Sequence, residues 1–184
     1  VNLPLPNPRR IDDFRTLADA IPQIVWAAKA DGSVDYMNRA WFEYSGQSER
    51  QALADGWHAV MHPDDLERIV AEWQRCIETG ESYDVEFRLR RADGAYRWFV
   101  GRAEAVRDER AEIVRWYGGC TDVDDLKVAQ NALRERATTF RKLANSLPQI
   151  VWMTDGNGKN TFLNNRWFDY TGIDPRSPHA LERV

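Results

Sequence analysis

An α+β fold follows from three features of the chain: a five-stranded antiparallel sheet with helices on one face, then a long linker helix. A strand–turn–strand pattern around Asp31-Gly32 precedes several short helices and one longer amphipathic helix. Strict apolar–polar alternation starts at Tyr83 and leads into two further strands. From Val123 to Leu147 there is no Gly or Pro, and large apolar residues return every seven positions.

The elements follow in order. Ile11, Phe14, Leu17, Ala18 and Ile21 have helical spacing, and Pro22 ends that helix. Ile24 to Ala28 reads as a buried strand, Asp31-Gly32 as a two-residue hairpin turn, and Ser33 to Met37 as the return strand. Asn38 is placed to cap a short helix through Trp41, Phe42 and Tyr44, which Gly46 stops. Ser48 and Gln51 have capping-box spacing. Pro63-Asp64-Asp65 suits the first turn of the longest helix of the domain, whose apolar face is Leu66, Ile69, Val70, Trp73 and Ile77. Tyr83, Val85, Phe87 and Leu89 then share one face of a half-buried strand. A second tight turn at Asp93-Gly94 would pair Leu89 with Trp98 and Phe87 with Val100. A last strand runs from Glu112 to about Cys120.

The first part of the chain returns further on. Phe14-Arg15-Thr16-Leu17-Ala18 reappears as Phe140-Arg141-Lys142-Leu143-Ala144, and Pro22-Gln23-Ile24-Val25-Trp26 as Pro148-Gln149-Ile150-Val151-Trp152. Asn38 matches Asn164, and Trp41-Phe42 matches Trp167-Phe168, at the same offset and without a gap. A solenoid unit spans about 20–50 residues, so a period this long means tandem globular domains. The expected organisation is an N-terminal segment and the start of a flanking helix over 1–13, and a complete domain over 14–122. A linker helix over 123–147 overlaps the start of the second copy, whose N-terminal third is 140–184. The chain begins with Val and is expected to be a fragment. The residues from Asn157 to Val184 are expected to fray or to dock on a neighbour.

Composition narrows the function. Hydrophobic residues make up 43% of the 184, enough for a packed core. The net charge of −4, with no basic stripe, argues against a nucleic-acid surface. The apolar run Leu147–Thr154 is too short to span a bilayer, so no membrane contact is expected. No signal peptide precedes it, and a cytoplasmic location is expected. Cys76 and Cys120 are expected to be reduced core residues.

Several residue groups invite a chemical reading. His58, His62, Asp64 and Asp65 look like metal ligands, but helix initiation accounts for Pro63 and the acids, and no third ligand has a defined spacing; no metal is expected. No nucleophile–base arrangement or phosphate-binding glycine loop stands out, and no enzymatic activity is expected of this chain. Trp26, Tyr36, Trp41, Phe42, Trp57, Trp73, Phe87, Trp98 and Trp116 either fill the core or line a pocket for a small apolar or aromatic ligand. Cavity volume decides between the two.

The ordered set Pro22-Gln23-Ile24-Val25-Trp26, Asp31-Gly32, Asn38, Trp41-Phe42-x-Tyr44-x-Gly46, His62-Pro63-Asp64-Asp65, Glu86-Phe87-Arg88-Leu89, Asp93-Gly94, Arg97-Trp98 and Gly118-x-Cys120-Thr121-Asp122-Val123 resembles a PAS domain with its C-terminal PAC motif. Such domains occur in bacterial sensor histidine kinases and diguanylate cyclases. The resemblance implies a sensory or relay module whose parent carries a C-terminal output domain, with a histidine kinase the first expectation. A ligand receptor, the PAS region of a diguanylate cyclase and a cofactor-bearing redox sensor are the alternatives. It also implies a signal exit at Asp122, Val123 and Asp124, where Asp124 stands in place of the family's Thr or Ser. The long helix holds no histidine for a haem, and Gly56 to Met61 does not resemble a flavin-sensor motif, so no cofactor is expected; an unknown small ligand remains open.

Leu126, Leu133 and Phe140, with Ala137 at a companion position, form the expected seam of a parallel homodimeric coiled coil. A surface helix that packs on its own sheet would show a similar stripe.

Overall fold

The computed structural model describes residues 8–53, 56–177 and 180–181, with side chains from Phe14 onward. Residues 1–7 of the expected N-terminal segment, the side chain of Ile11, and residues 178–179 and 182–184 of the expected second copy lie outside the described residues. The chain divides into two compact units, Val1–Lys127 and Val128–Val184.

In the first unit, α1 (Pro8–Ala20) precedes β1 (Ile24–Lys29) and β2 (Val34–Met37). Then come α2 (Arg39–Ser45), α3 (Glu49–Leu53), a 3₁₀ turn (Gly56–Val60) and α4 (Pro63–Thr79). The strands β3 (Tyr83–Arg90), β4 (Tyr96–Arg107) and β5 (Ile113–Asp122) complete an antiparallel sheet of order β2-β1-β5-β4-β3. The main core lies on the face that carries Trp41, Ile69, Trp73, Phe87, Leu89, Phe99 and Trp116. A smaller cluster lies on the opposite face, where Ala18 of α1, with Phe14, packs on Ala27 and Tyr36.

Asn38 does not cap α2 with its side chain. It is fully buried and ties three segments together instead. Its Nδ2 donates to the Ala18 carbonyl at 2.8 Å and the Gln23 carbonyl at 2.9 Å, while its Oδ1 accepts from the Val25 N–H at 2.9 Å. Both amide protons and the carbonyl oxygen are satisfied, which removes the cost of burying them. At α3 the expected capping box forms in part, as Gln51 Oε1 accepts from the Ser48 N–H at 2.9 Å.

Helix α4 buries Asp65, Ile69, Trp73 and Cys76 and ends on Gly80 at φ +72°. Fully burying an apolar side chain such as Ile69 contributes about 1.5–3 kcal/mol. Asp65 does more than complement the helix dipole. Arg88 of β3 donates to it from its backbone N–H at 3.0 Å and from Nε and Nη2 at 2.9 and 3.0 Å.

The hairpins correct the expected register. Neither glycine turn is a two-residue loop. At β3–β4 the Gly94 N–H donates to the Arg91 carbonyl at 2.9 Å and the Arg91 N–H to the Ala95 carbonyl at 2.8 Å. This is a three-residue loop with Gly94 in the left-handed region at φ +92°. The extra residue slips the pairing by one: Phe87 opposes Phe99, Arg88 opposes Trp98 and Leu89 opposes Arg97. A one-residue slip exchanges the faces of a strand. Phe99 therefore enters the core, and Trp98 lies on the opposite face. The Lys29–Ser33 turn has the same bonding.

In the second unit, β6 (Trp152–Thr154) and β7 (Asn160–Leu163) pair antiparallel and α6 (Asn165–Thr171) follows. Across these elements Asn164 repeats the Asn38 knot. Its Nδ2 donates to Ala144 and Gln149 carbonyls at 2.8 Å each, and its Oδ1 accepts from the Val151 N–H at 3.0 Å. The linker region is helical as α5 (Asp124–Ser146).

The β4–β5 hairpin has the same three-residue bonding, but Ala111 occupies the left-handed position at φ +64°. A Cβ there costs about 1–2 kcal/mol. Ala111→Gly should raise stability by about 0.5–1 kcal/mol, since glycine's greater unfolded-state entropy offsets part of the relief. The shift of the urea midpoint measures it.

Candidate functional site

A cavity of ≈ 50 Å³ lies between the helices and the sheet of the first unit. Its wall is Trp26, Val34, Met37, Trp41, Trp57, Met61, Trp73, Tyr83, Phe87 and Cys120. The rings meet edge to face: Trp26 and Trp73 at 5.4 Å, Trp73 and Tyr83 at 5.4 Å. The indole N–H of Trp73 donates to the Gly32 carbonyl and that of Trp41 to Gln47 Oε1, both at 3.2 Å. These polar handles are already engaged with protein.

Two strand glycines make room for the wall. A Cβ on Gly118 would stand 2.5 Å from the Trp26 ring, and one on Gly101 would stand 2.6 Å from the Phe87 ring. Bare backbone on β5 and β4 is what lets these rings lie flat over the sheet.

Among the described residues, no charged side chain lines the cavity. Complete burial pushes the Cys120 thiol up to about 12, and burial raises the Tyr83 phenol as well. Both are neutral at physiological pH. The wall thus offers π faces, thioethers and a thiol, a lining for a small uncharged guest.

Of the aromatics read from sequence, Trp26, Trp41, Trp57, Trp73 and Phe87 line this cavity. Four do not. Trp116 is fully buried behind Trp73, with ring centroids 5.1 Å apart. Phe42 packs at the margin of the core. Tyr36 lies on the opposite face beneath α1, with Phe14 at 5.3 Å. Trp98 was turned away by the register slip. Val34, Met37, Met61, Tyr83 and Cys120 were missed. Tyr83 was legible, being in phase with Val85 and Phe87. The sulfur residues carry no periodic signal that separates a cavity wall from core.

The residues of the expected exit gather around β4. Arg97 Nε donates to Asp122 Oδ2 at 2.6 Å and its Nη2 to Asp125 Oδ1 at 2.9 Å. The Trp98 carbonyl accepts from the Val123 N–H at 2.9 Å, and Asp124 Oδ1 accepts from the Trp98 N–H at 3.2 Å. The Asp124 N–H donates to Asp122 Oδ1 at 2.9 Å. Asp124, in place of a hydroxyl residue, still holds the β4 backbone.

A family model described as PAS fold matches residues 34–119, and one described as PAS domain matches residues 138–183. The chain belongs to the PAS family. An uncharacterised protein, y4lL, from Sinorhizobium fredii is 38% identical over 188 residues, covering 95% of this chain and 23% of that protein. The peroxide stress-activated histidine kinase mak1 of Schizosaccharomyces pombe is 29% identical over 175 residues, covering 91% of this chain and 11% of the kinase. The chain therefore spans less than a quarter of these curated relatives. Among solved structures, a sensory box histidine kinase/response regulator from Burkholderia thailandensis superposes with a TM-score of 0.53 at 25% identity, covering 70% of this chain and 98% of that one. Histidine kinases, one of them a sensory box protein, are thus among the relatives of this PAS chain.

The close approach of Trp26 to β5 predicts that Gly118→Ala destabilises the domain by about 1–3 kcal/mol, the range for overpacking, read as a lower urea midpoint. The Asp65–Arg88 pair sets a pH dependence. Arg88 holds the Asp65 carboxyl below its ordinary value, chiefly through side-chain hydrogen bonds. The stability it brings is full above the unfolded pKa of about 4 and is lost as pH falls through the lower folded pKa. Asp65→Asn should cost about 2 kcal/mol at neutral pH. That gap should narrow on acidification below about pH 4 in parallel denaturation curves.

Proposed function

We propose that this chain is the sensory and signal-relay module of a bacterial multidomain signalling protein, a sensor histidine kinase, which works in the cytoplasm as a parallel homodimer joined through α5. In this reading the chain has no catalytic role of its own, and its output lies in a C-terminal domain of the parent. The residues from 140 onward belong to a second PAS copy.

The carrying observation is the exposed seam of α5. Leu126 is 58% exposed and Leu133 70% exposed, seven residues apart on a continuous helix. Leaving two leucines in water forgoes about 1.5–3 kcal/mol each, which a partner helix would recover. A parallel coil places equivalent a and d residues of two copies against each other. Phe140 is committed elsewhere in part, since its ring meets Phe162 of β7 at 5.0 Å. The seam of the proposal is thus strongest from Leu126 to Ala137. The kinase relatives support the choice of output. Among the described residues, no helix is long and apolar enough to cross a membrane.

The receptor reading has one observation in its favour, the apolar cavity. At ≈ 50 Å³ it is about a third of the ~150 Å³ that accommodates benzene. Waters or a diatomic fit this volume; an aromatic guest does not. The size favours relay over aromatic-ligand recognition.

Light scattering on the eluting 184-residue chain should give about twice 21.3 kDa at high micromolar concentration. Leu133→Glu should elute as a monomer with an unchanged circular dichroism spectrum. A monomeric unaltered chain would remove the dimer from the proposal.

A further inference from the structure

Two cations share one aromatic ring beside the exit. Lys127 Nζ lies 4.6 Å from the centroid of the Trp98 ring, and Arg88 Cζ lies 5.2 Å from it. Each cation is also held by an acid. Lys127 Nζ donates to Glu86 Oε2 at 2.6 Å, and Arg88 grips the buried carboxylate of Asp65 with two guanidinium donors. The like charges of Arg88 and Lys127 are therefore each neutralised locally. What they have in common is the electron-rich ring, which attracts a cation over its face.

The placement of the four residues matters more than any one contact. Asp65 lies in the first turn of α4, the helix that walls the cavity with Trp73. Arg88 is on β3, Trp98 opposes it on β4, and Lys127 is in the first turn of α5. Trp98 also holds the exit with its backbone, through the Val123 N–H and Asp124 Oδ1. Arg97 binds the exit acids directly, whereas the Arg88 side chain meets Asp64, Asp65 and Trp98, none of them on α5.

We infer that Arg88 and Lys127 are positioning residues for the exit helix: Arg88, held by Asp65 of α4, fixes the Trp98 ring, and that ring with Glu86 seats Lys127 and so the first turn of α5. A displacement of α4 at the cavity changes the seat of α5 through Asp65, Arg88, Trp98 and Lys127 in turn. The inference rests on the relay reading above and names the side chains through which it runs.

Amide hydrogen exchange on the whole chain tests the coupling. The readout is the exchange of Lys127 to Gln130, compared with the amides of β1 and β5. Arg88→Lys keeps the charge and loses the planar fork. It should accelerate exchange at Lys127 to Gln130 about threefold, the size of one partly exposed cation–π contact, with β1 and β5 unchanged. Lys127→Met should do at least as much. In a Trp98→Leu background, Arg88→Lys should add nothing further at α5. An α5 unaffected by Arg88→Lys, or changed only in proportion to β1 and β5, overturns the inference and leaves the relay reading standing. An α5 that exchanges like unstructured peptide in the unaltered chain overturns both.

Discussion

The side-chain amide of Asn38 is the constraint on which the geometry of the first unit depends. A buried amide costs several kcal/mol in an apolar interior unless its partners are present. Asn38 finds them in the last turn of α1, in the lead-in to β1 and in β1 itself. This fixes where β1 begins, and so which of its side chains face the helices. With Val25 pinned to Asn38, Ile24, Trp26 and Ala28 turn toward the main core, while Ala27 turns toward α1. The second unit builds the same knot on Asn164 and adds a matching contact. The Asn165 N–H donates to Asn145 Oδ1 at 2.8 Å, as the Arg39 N–H donates to Asp19 Oδ1 at 2.8 Å. The repeat in sequence is therefore a repeat of a hydrogen-bond network.

Element types were legible because the apolar period is strong. The alternation from Tyr83 to Arg90 is buried and exposed in turn, as the pattern requires, and the α4 stripe keeps its 3.6-residue spacing. Register was not legible. Asp93-Gly94 suits both a two-residue and a three-residue loop, and glycine at a positive φ serves either. The choice between them moved Trp98 from the cavity side to the exit side. Asn38 shows a similar limit. Its spacing before α2 marks a helix start, but nothing local says that its side chain will reach back twenty residues to Ala18. Long-range polar partners leave no periodic trace. Cys120 and the two methionines of the cavity wall were missed because nothing local in the sequence separates a wall position from core filling.

The cavity wall and the end of β5 separate two kinds of physics. On the helical face the wall is neutral, with burial keeping Cys120 and Tyr83 protonated. A guest there would be selected by shape, since no charged side chain among the described residues lines the wall. At the end of β5 three aspartates meet Arg97, and on the face away from the cavity Trp98 takes two cations on its ring. Charge contacts at a partly exposed site are individually weak and easily exchanged. That makes the exit a place where small rearrangements have alternatives, whereas the packed wall resists partial movement.

Helix α5 carries two duties that compete for its apolar residues. Its last turns are the counterpart of α1: Phe140 meets Phe162 as Phe14 meets Tyr36, and Ala144 is buried as Ala18 is. Those residues serve the second unit, Phe140 only in part, since it stays 42% exposed. The heptad that runs unbroken in sequence from Leu126 to Leu147 is therefore divided in use. Leu126 and Leu133 have no role within their own unit that burial would reveal, whereas Phe140 and Ala144 do. A coil between two copies would then have to hand over to domain packing between Leu133 and Phe140. That stretch, Arg134 to Thr139, holds Ala137 as its one seam position and carries Arg134, Glu135 and Arg136 beside it. A thin, charged junction of this kind is where a change in coil geometry would meet the least resistance from apolar packing.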